Sequence, residues 1–484
     1  MKTCHVFYDV ETTGTLRGYD QILQIAAVRT DSDLETIDQE RFDLRCRRLS
    51  YQIPSPGALL VTDFDPEDLE RAPLSHYELV RAVHQKFADW SPSVFCGYNS
   101  LKFDEIMLRQ AFYQTLHPIY LTQINGNRRA DVLTMAQAVA IHAPGALKLN
   151  ESGSFRLGEL ARANGIDLTE ASAHDAMADS KATIQLMQKM RDLAPALYSR
   201  MMQNADKNFV IGFVKDNPVF QWSAVFGRNR ISKHVTFIGS PDDDRSAMFL
   251  FDLAYDPEQF FRLPDDALAE FAFGPLKVIR TVRANGFPII LPLGSSPSGD
   301  GSNDPSECEL LRRANAIARN EDFRRRIIRI LRREFEDRPK ATFVEDRIYE
   351  SFIGNRDAGR CAQFHQIPWE QRPALARFLD DPRLRELATR LIFAEHPELL
   401  PEDARRELVA WQMTRMEADG DVPWLSVPAA IAELGRMWRS TDIGTRQRLE
   451  KFARYFARIR SVATLFPHGP ARADEKGSLL RTGS

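Results

Sequence analysis

A change of texture along the chain restricts the fold more than any other feature. Residues 5–10, 22–30 and 41–49 are strand-length apolar runs separated by short turns, which predicts three successive antiparallel strands. Amphipathic stretches at 77–90, 104–115 and 131–141 follow, with a short buried strand at 94–98 between the first two, and a helix over 175–193 closes the segment. Strands mixed with helices in this way predict an α/β layer. From 208 to 292 the texture changes to apolar and aromatic runs at 209–215, 219–226, 234–238, 247–253 and 276–284, the spacing of a small all-β barrel or sandwich. The stretch GSSPSGDGSNDPS at 294–306 reads as a solvated loop. Beyond Cys308 the spacing is helical, as at Ile327, Ile328, Ile330 and Leu331 and again across 374–393, so a helical bundle with a frayed tail over 468–484 is expected.

At about 150 residues per domain, a chain of 484 residues predicts three domains. It holds no run of eighteen apolar residues, and its first residues enter a strand without a signal-peptide stretch, so neither a membrane nor a secreted protein is expected. Cys4, Cys46, Cys96, Cys308 and Cys361 are scattered and odd in number, which fits reduced thiols in a cytoplasmic protein better than a disulfide framework or a zinc site. The net charge of −3 excludes nucleic-acid binding by bulk positive charge and leaves room for a local basic groove.

The chemistry lies in three short elements. Asp9 and Glu11 are two residues apart at the end of the first strand, so both leave one face of the sheet. Taken alone they read as solvated acids at a strand end. Asp104, in GYNSLKFDE, opens a helix, and by itself reads as an N-cap worth about 1 kcal/mol. His174 just precedes the 175–193 helix, and Asp175 and Asp179 share a face of it. All three elements, in this order inside one α/β segment, are harder to assign to coincidence. Phosphodiester hydrolysis uses two divalent cations about 4 Å apart, one making a hydroxide and one taking the charge of the leaving oxygen. Hard cations such as magnesium and manganese require carboxylate oxygens, which four acids supply, and a histidine can take the proton of the attacking water.

At these residues the sequence resembles the DEDD exonuclease superfamily. Asp9, Glu11, Asp104 and Asp179 match its four metal acids, and His174, five before the last of them, matches the histidine subclass; the tyrosine subclass would place Tyr where Asp175 stands. The resemblance extends to the bacterial exonuclease I family through FYDVETTGT, PSPGALLVT at 54–62, the GYNSLKFDE stretch, SFRL at 154–157, ANGIDLTEASAHDAMAD, WSAVFGRNRISKHVTFIGSPDDDRSAMFLFDL and RIYESFIGNRD. It implies a ribonuclease-H-like α/β exonuclease domain (1–195), with a mixed sheet and flanking helices. An SH3-like β domain (196–345) would carry the Gly/Ser-rich loop and a basic helix, followed by an all-α domain (346–470) and a disordered tail (471–484). It further implies two Mg2+ ions per site, replaceable by Mn2+, with His174 as general base. The reaction would be 3′→5′ degradation of single-stranded DNA to 5′-mononucleotides by a monomer acting in repair and recombination. Arg156, Arg109 and Tyr120, with the Thr12, Thr13 and Gly14 turn, are the positions it assigns to substrate. Binding of the acidic C-terminal tail of single-stranded-DNA-binding protein is also implied, with His142 standing where one of the family's basic residues would fall. Ile124 replaces an expected aromatic, and the 294–306 loop is recast.

Between 311 and 340 lie ten arginines and one lysine against five acids, either a phosphate-tracking face or a solvated helix with Glu/Arg pairs. Phe213, Phe220, Trp222, Phe226 and Phe237 divide between core and base stacking according to exposure. An exoribonuclease on the same catalytic acids is the enzymatic alternative. A non-cleaving single-strand clamp is the other, and it would be marked by loss of a metal acid.

Overall fold

The computed structural model describes residues 3–168, 175–295, 305–336, 341–440 and 443–465. His174, positions 296–304 of the Gly/Ser-rich loop and the 471–484 tail lie outside the described residues.

The first sheet contains β1 (Cys4–Thr12), β2 (Ile22–Thr30), β3 (Thr36–Arg45), β4 (Ser93–Gly97) and β5 (Arg128–Asp131), in the order β3-β2-β1-β4-β5. Short turns join β1, β2 and β3, which pair antiparallel as such connections require; β4 joins β1 in parallel after a crossover that includes the helix His76–Asp89. The third strand starts and ends earlier than the apolar run at 41–49 predicts. Its first half, TIDQE, is mostly polar and touches the ladder only through Thr36 opposite Thr30, with a register shift before Arg41, and β3 is a half-exposed edge. The helix Ala176–Leu193 lies against β1 and β2, which explains why β2 is buried almost throughout.

A second, wholly antiparallel sheet follows: β6 (Phe220–Phe226), β7 (Asn229–Gly239), β8 (Ala247–Asp252), β9 (Ile279–Arg283) and β10 (Ile289–Pro292), in the order β10-β6-β7-β8-β9. The strand expected at 209–215 is instead the helix Lys207–Asp216. Asp206 caps it by accepting from the Asn208 N–H, and Val210 and Val214, four apart, are its buried residues. An apolar run this short does not separate the two periods. Helices Glu307–Arg319 and Glu321–Glu336 bury Leu310, Ile317, Phe323 and Ile327 with Phe249 and Phe251 of β8. Many of their arginines are held by acids: Arg312 reaches Asp256 and Glu258 at 2.9 and 2.8 Å, and Arg326 and Arg329 share Asp265 at 2.8 and 2.7 Å. Phe220 and Trp222 are core, whereas Phe226 is exposed.

The remaining helices wrap around the first sheet. One continuous core joins Tyr77, Phe87 and Phe112 to Phe364, Leu384 and Ile392, and another joins Leu23, Ile53 and Leu59 to Val427, Phe452 and Phe456. Glu345 is buried and accepts from Arg390 at 3.0 Å and Arg415 at 2.9 Å. Three histidines meet in the same seam. The His117 ring stacks on His365 with centroids 3.9 Å apart and lies 4.7 Å from His84. Burial pushes His84 and His365 down to about 4, and His117 falls further because the other two also disfavour its charge. Among the described residues no helix is long and apolar enough to cross a membrane.

Candidate active site

β1 is the central strand of the first sheet, antiparallel to β2 on one side and parallel to β4 on the other. Its residues Val6, Phe7 and Tyr8 are fully buried, which fixes the strand and sends Asp9 and Glu11 out of one face. A bulge between Glu11 and Thr12 ends the regular register at the acids. The helix Ala176–Leu193 crosses the same face, and Asp179 in its first turn completes a cluster: carboxylate oxygens of Asp9, Glu11 and Asp179 lie within 4.8 Å of one another.

Asp104 approaches from the other side. It is the first residue of the helix Asp104–Gln114, not its cap, which corrects the N-cap alternative. Its Oδ1 accepts from the Val10 N–H at 3.1 Å, so the carboxylate sits beside the backbone between Asp9 and Glu11. The turn that delivers it is built by Asp131, whose carboxylate accepts from the N–H groups of Asn99 at 3.1 Å, Leu101 at 3.3 Å and Thr134 at 3.2 Å.

These acids repel. Burial and the neighbouring carboxylates hold Asp9 well above the usual range and push Glu11 up to about 9 and Asp104 up to about 7. Such a set, all oxygen and all of one sign, is stabilised by hard divalent cations and by little else. The donor chemistry therefore fits a divalent metal site.

Two family models match the chain in order: Exonuclease over residues 6–187, which holds all of these acids, and Exonuclease I C-terminal domain over residues 342–459. The chain belongs to the exonuclease I family. Exodeoxyribonuclease I of Escherichia coli K12 is 26% identical over 404 residues, covering 79% of this chain and 83% of the relative. A solved zinc-bound complex of E. coli exonuclease I with single-stranded DNA superposes with a TM-score of 0.82 at 22% identity, covering 95% of this chain and all of that one. A solved SSB/exonuclease I structure in complex with an inhibitor gives a TM-score of 0.79 at 22% identity, covering 96% and 100%.

The other positions that the family suggests are distributed as follows. Thr12 donates to the Gly14 carbonyl at 2.6 Å, and the fully buried Thr13 donates to Asp20 at 2.7 Å, so both hydroxyls build the turn after β1. A Cβ at Gly14 would come within 2.5 Å of the Asp20 carboxylate, which the Thr13 hydroxyl and the Leu16 N–H hold in place, so a side chain there would displace that turn. Arg109 is not free at the surface: it pairs with buried Glu105 at 2.8 Å and lies 5.3 Å from the centre of the Tyr120 ring. Arg156 is 86% exposed, 3.7 Å from Glu159. Tyr120 lines a cleft of about 410 Å³ with Ile124, Tyr349 and the exposed Phe352.

Sequence reading missed Gln24, Asp43, Arg45 and Asp131. The first three are brought to the acids by strand register: Glu11 pairs with Gln24, Gln24 with Arg45, and Asp9 with Ala26, which pairs with Asp43. Asp175 caps the Ala176–Leu193 helix, accepting from Ala178 at 3.1 Å, and its other oxygen lies 3.4 Å from Gln24 Nε2 and 3.5 Å from the Arg45 guanidinium.

Proposed function

We propose that the protein is a magnesium-dependent 3′→5′ exonuclease on single-stranded DNA, releasing 5′-mononucleotides. The observation that carries this reading is the convergence of Asp9, Glu11 and Asp179, with Asp104 one backbone group away, in a chain whose relatives are named exodeoxyribonuclease I. Asp9, Glu11, Asp104 and Asp179 would hold two Mg2+ ions, or Mn2+ in their place, and the metals would supply the nucleophile and neutralise the leaving oxygen. His174, next in the chain before Asp175, would take the proton of the attacking water. Asp131 would keep Asp104 in place by fixing the turn at Asn99.

Substrate contacts follow from exposure. Arg156 presents a guanidinium to the backbone phosphates. Tyr120, with Tyr349 and Phe352, offers rings for bases, and Arg109 acts by bracing Tyr120. The turn at Thr12, Thr13 and Gly14 supports Glu11 and presents backbone groups to the terminal nucleotide. The domains would divide at 1–195, 196–345 and 346–470, with the second sheet an SH3-like unit and the whole chain a monomeric clasp around the strand. The SSB/exonuclease I structure supports single-stranded-DNA-binding protein as the protein partner, and the family resemblance would have its acidic C-terminal tail make the contact.

Digestion of 5′-labelled single-stranded DNA, beside its duplex and an RNA of the same sequence, tests the reading. A ladder shortening from the 3′ end on single-stranded DNA alone, lost in Asp179→Ala, is the expected result. Preferential loss of RNA would make the protein an exoribonuclease, and binding without cutting would make it a clamp.

A further inference from the structure

Glu11, Gln24 and Arg45 occupy one cross-strand row over β1, β2 and β3, and directly opposed residues project from the same face. Two strand spacings put the Arg45 backbone about 10 Å from that of Glu11, on the face where the metal acids gather. The Arg45 side chain turns inward along this row. Its guanidinium stands 5.3 Å from the centre of the Phe64 ring and 3.5 Å from Asp175, and it is half exposed.

We propose that Arg45 is a phosphate-binding residue of the nuclease site, exchanging Asp175 for the phosphate of the 3′-terminal nucleotide. The inference rests on the exonuclease reading above. Three features support it. The pair with Asp175 is long and both partners are solvated, 50% and 40% exposed, so it is weak and readily exchanged. The guanidinium fork matches two phosphate oxygens, a better partner than one carboxylate oxygen at 3.5 Å. The guanidinium lies over the buried Phe64 ring, so little ordering is needed when a phosphate arrives. A site made of acids also needs a cation at its rim, because each new terminal nucleotide brings further negative charge.

The phosphate can belong to the uncut strand or to the released nucleotide, and two assays separate these sources. Wild type, Arg45→Met and Arg45→Lys are compared with magnesium for KM on an oligothymidylate and for inhibition by thymidine 5′-monophosphate. Loss of a charge-assisted hydrogen bond predicts that Arg45→Met raises the affected constant by about ten-fold or more, with partial rescue in Arg45→Lys. If the strand phosphate is held, KM rises and the slope of log affinity against log salt falls by about 0.7. If the product phosphate is held, the inhibition constant rises instead. A wild type that cuts, with Arg45→Met equal to it in KM, salt slope and inhibition constant, would overturn the inference alone, as would a loss in Arg45→Met that Arg45→Lys fails to reduce. A wild type that does not shorten DNA would overturn the exonuclease reading, and this inference with it.

Discussion

Mild acid should loosen the seam that holds the C-terminal helices on the first sheet. His84 and His365 are pushed from 6.5 down to about 4 in the folded protein, and His117 further. The charges acting on these rings are those of Arg81 and Arg372, both positive, and the Tyr77 hydroxyl sits 3.0 Å from His365 Nδ1. Above pH 6.5 the rings are neutral in both folded and unfolded chains and make no pH-dependent contribution. As pH falls through 6.5 the unfolded chain takes up protons that the folded one refuses, so stability is lost until the folded values near 4 are reached. Between pH 7 and pH 5 the cost is about 2 kcal/mol for each ring, at 1.36 kcal/mol per pH unit below 6.5. Urea unfolding at the two pH values measures it, with His365→Phe as the comparison, since phenylalanine keeps the ring stack and cannot titrate. Wild type should lose about 2 kcal/mol more than the variant over this interval. Equal losses in the two proteins would refute the argument.

Asp179→Asn should lower turnover by about 10³-fold or more while the protein stays folded, because several kcal/mol of charge stabilisation go with the metal; steady-state rates beside circular dichroism check this. Chelation should abolish cutting, and added Mg2+ should raise the unfolding free energy by about 2.7 kcal/mol at a hundred times its Kd, as measured by thermal unfolding. Glu345→Gln should destabilise by about 3 to 5 kcal/mol, since it leaves Arg390 and Arg415 without their buried counter-charge, and urea denaturation reads the loss.

The acids were legible because each lies in a short local pattern: two on one strand, one opening a helix, one in a helical first turn. The resemblance then joined them. Local pattern fails where apolar runs are too short to show a period, as at Lys207–Asp216, and where a half-exposed edge strand extends through polar residues, as in β3. It also cannot show partners set by register. Gln24 and Arg45 carry no motif, and only the β1-β2-β3 ladder brings them beside Glu11. The histidine seam joins positions 84, 117 and 365, which no local spacing connects.

The shared core has a consequence for dissection of the chain. Tyr77, Phe112 and Leu116 of the α/β segment are packed together with Phe364, Leu384 and Ile392, and Tyr19, in the turn that follows the first acids, donates its hydroxyl to Asp346. Cutting the chain near residue 341 would therefore not release a self-sufficient catalytic fragment. It would strip an apolar flank from beneath the active site and leave an adhesive surface of the kind that drives aggregation. The C-terminal helices are in this sense a structural half of the enzyme's catalytic body, and exchange between relatives should succeed only when both halves travel together.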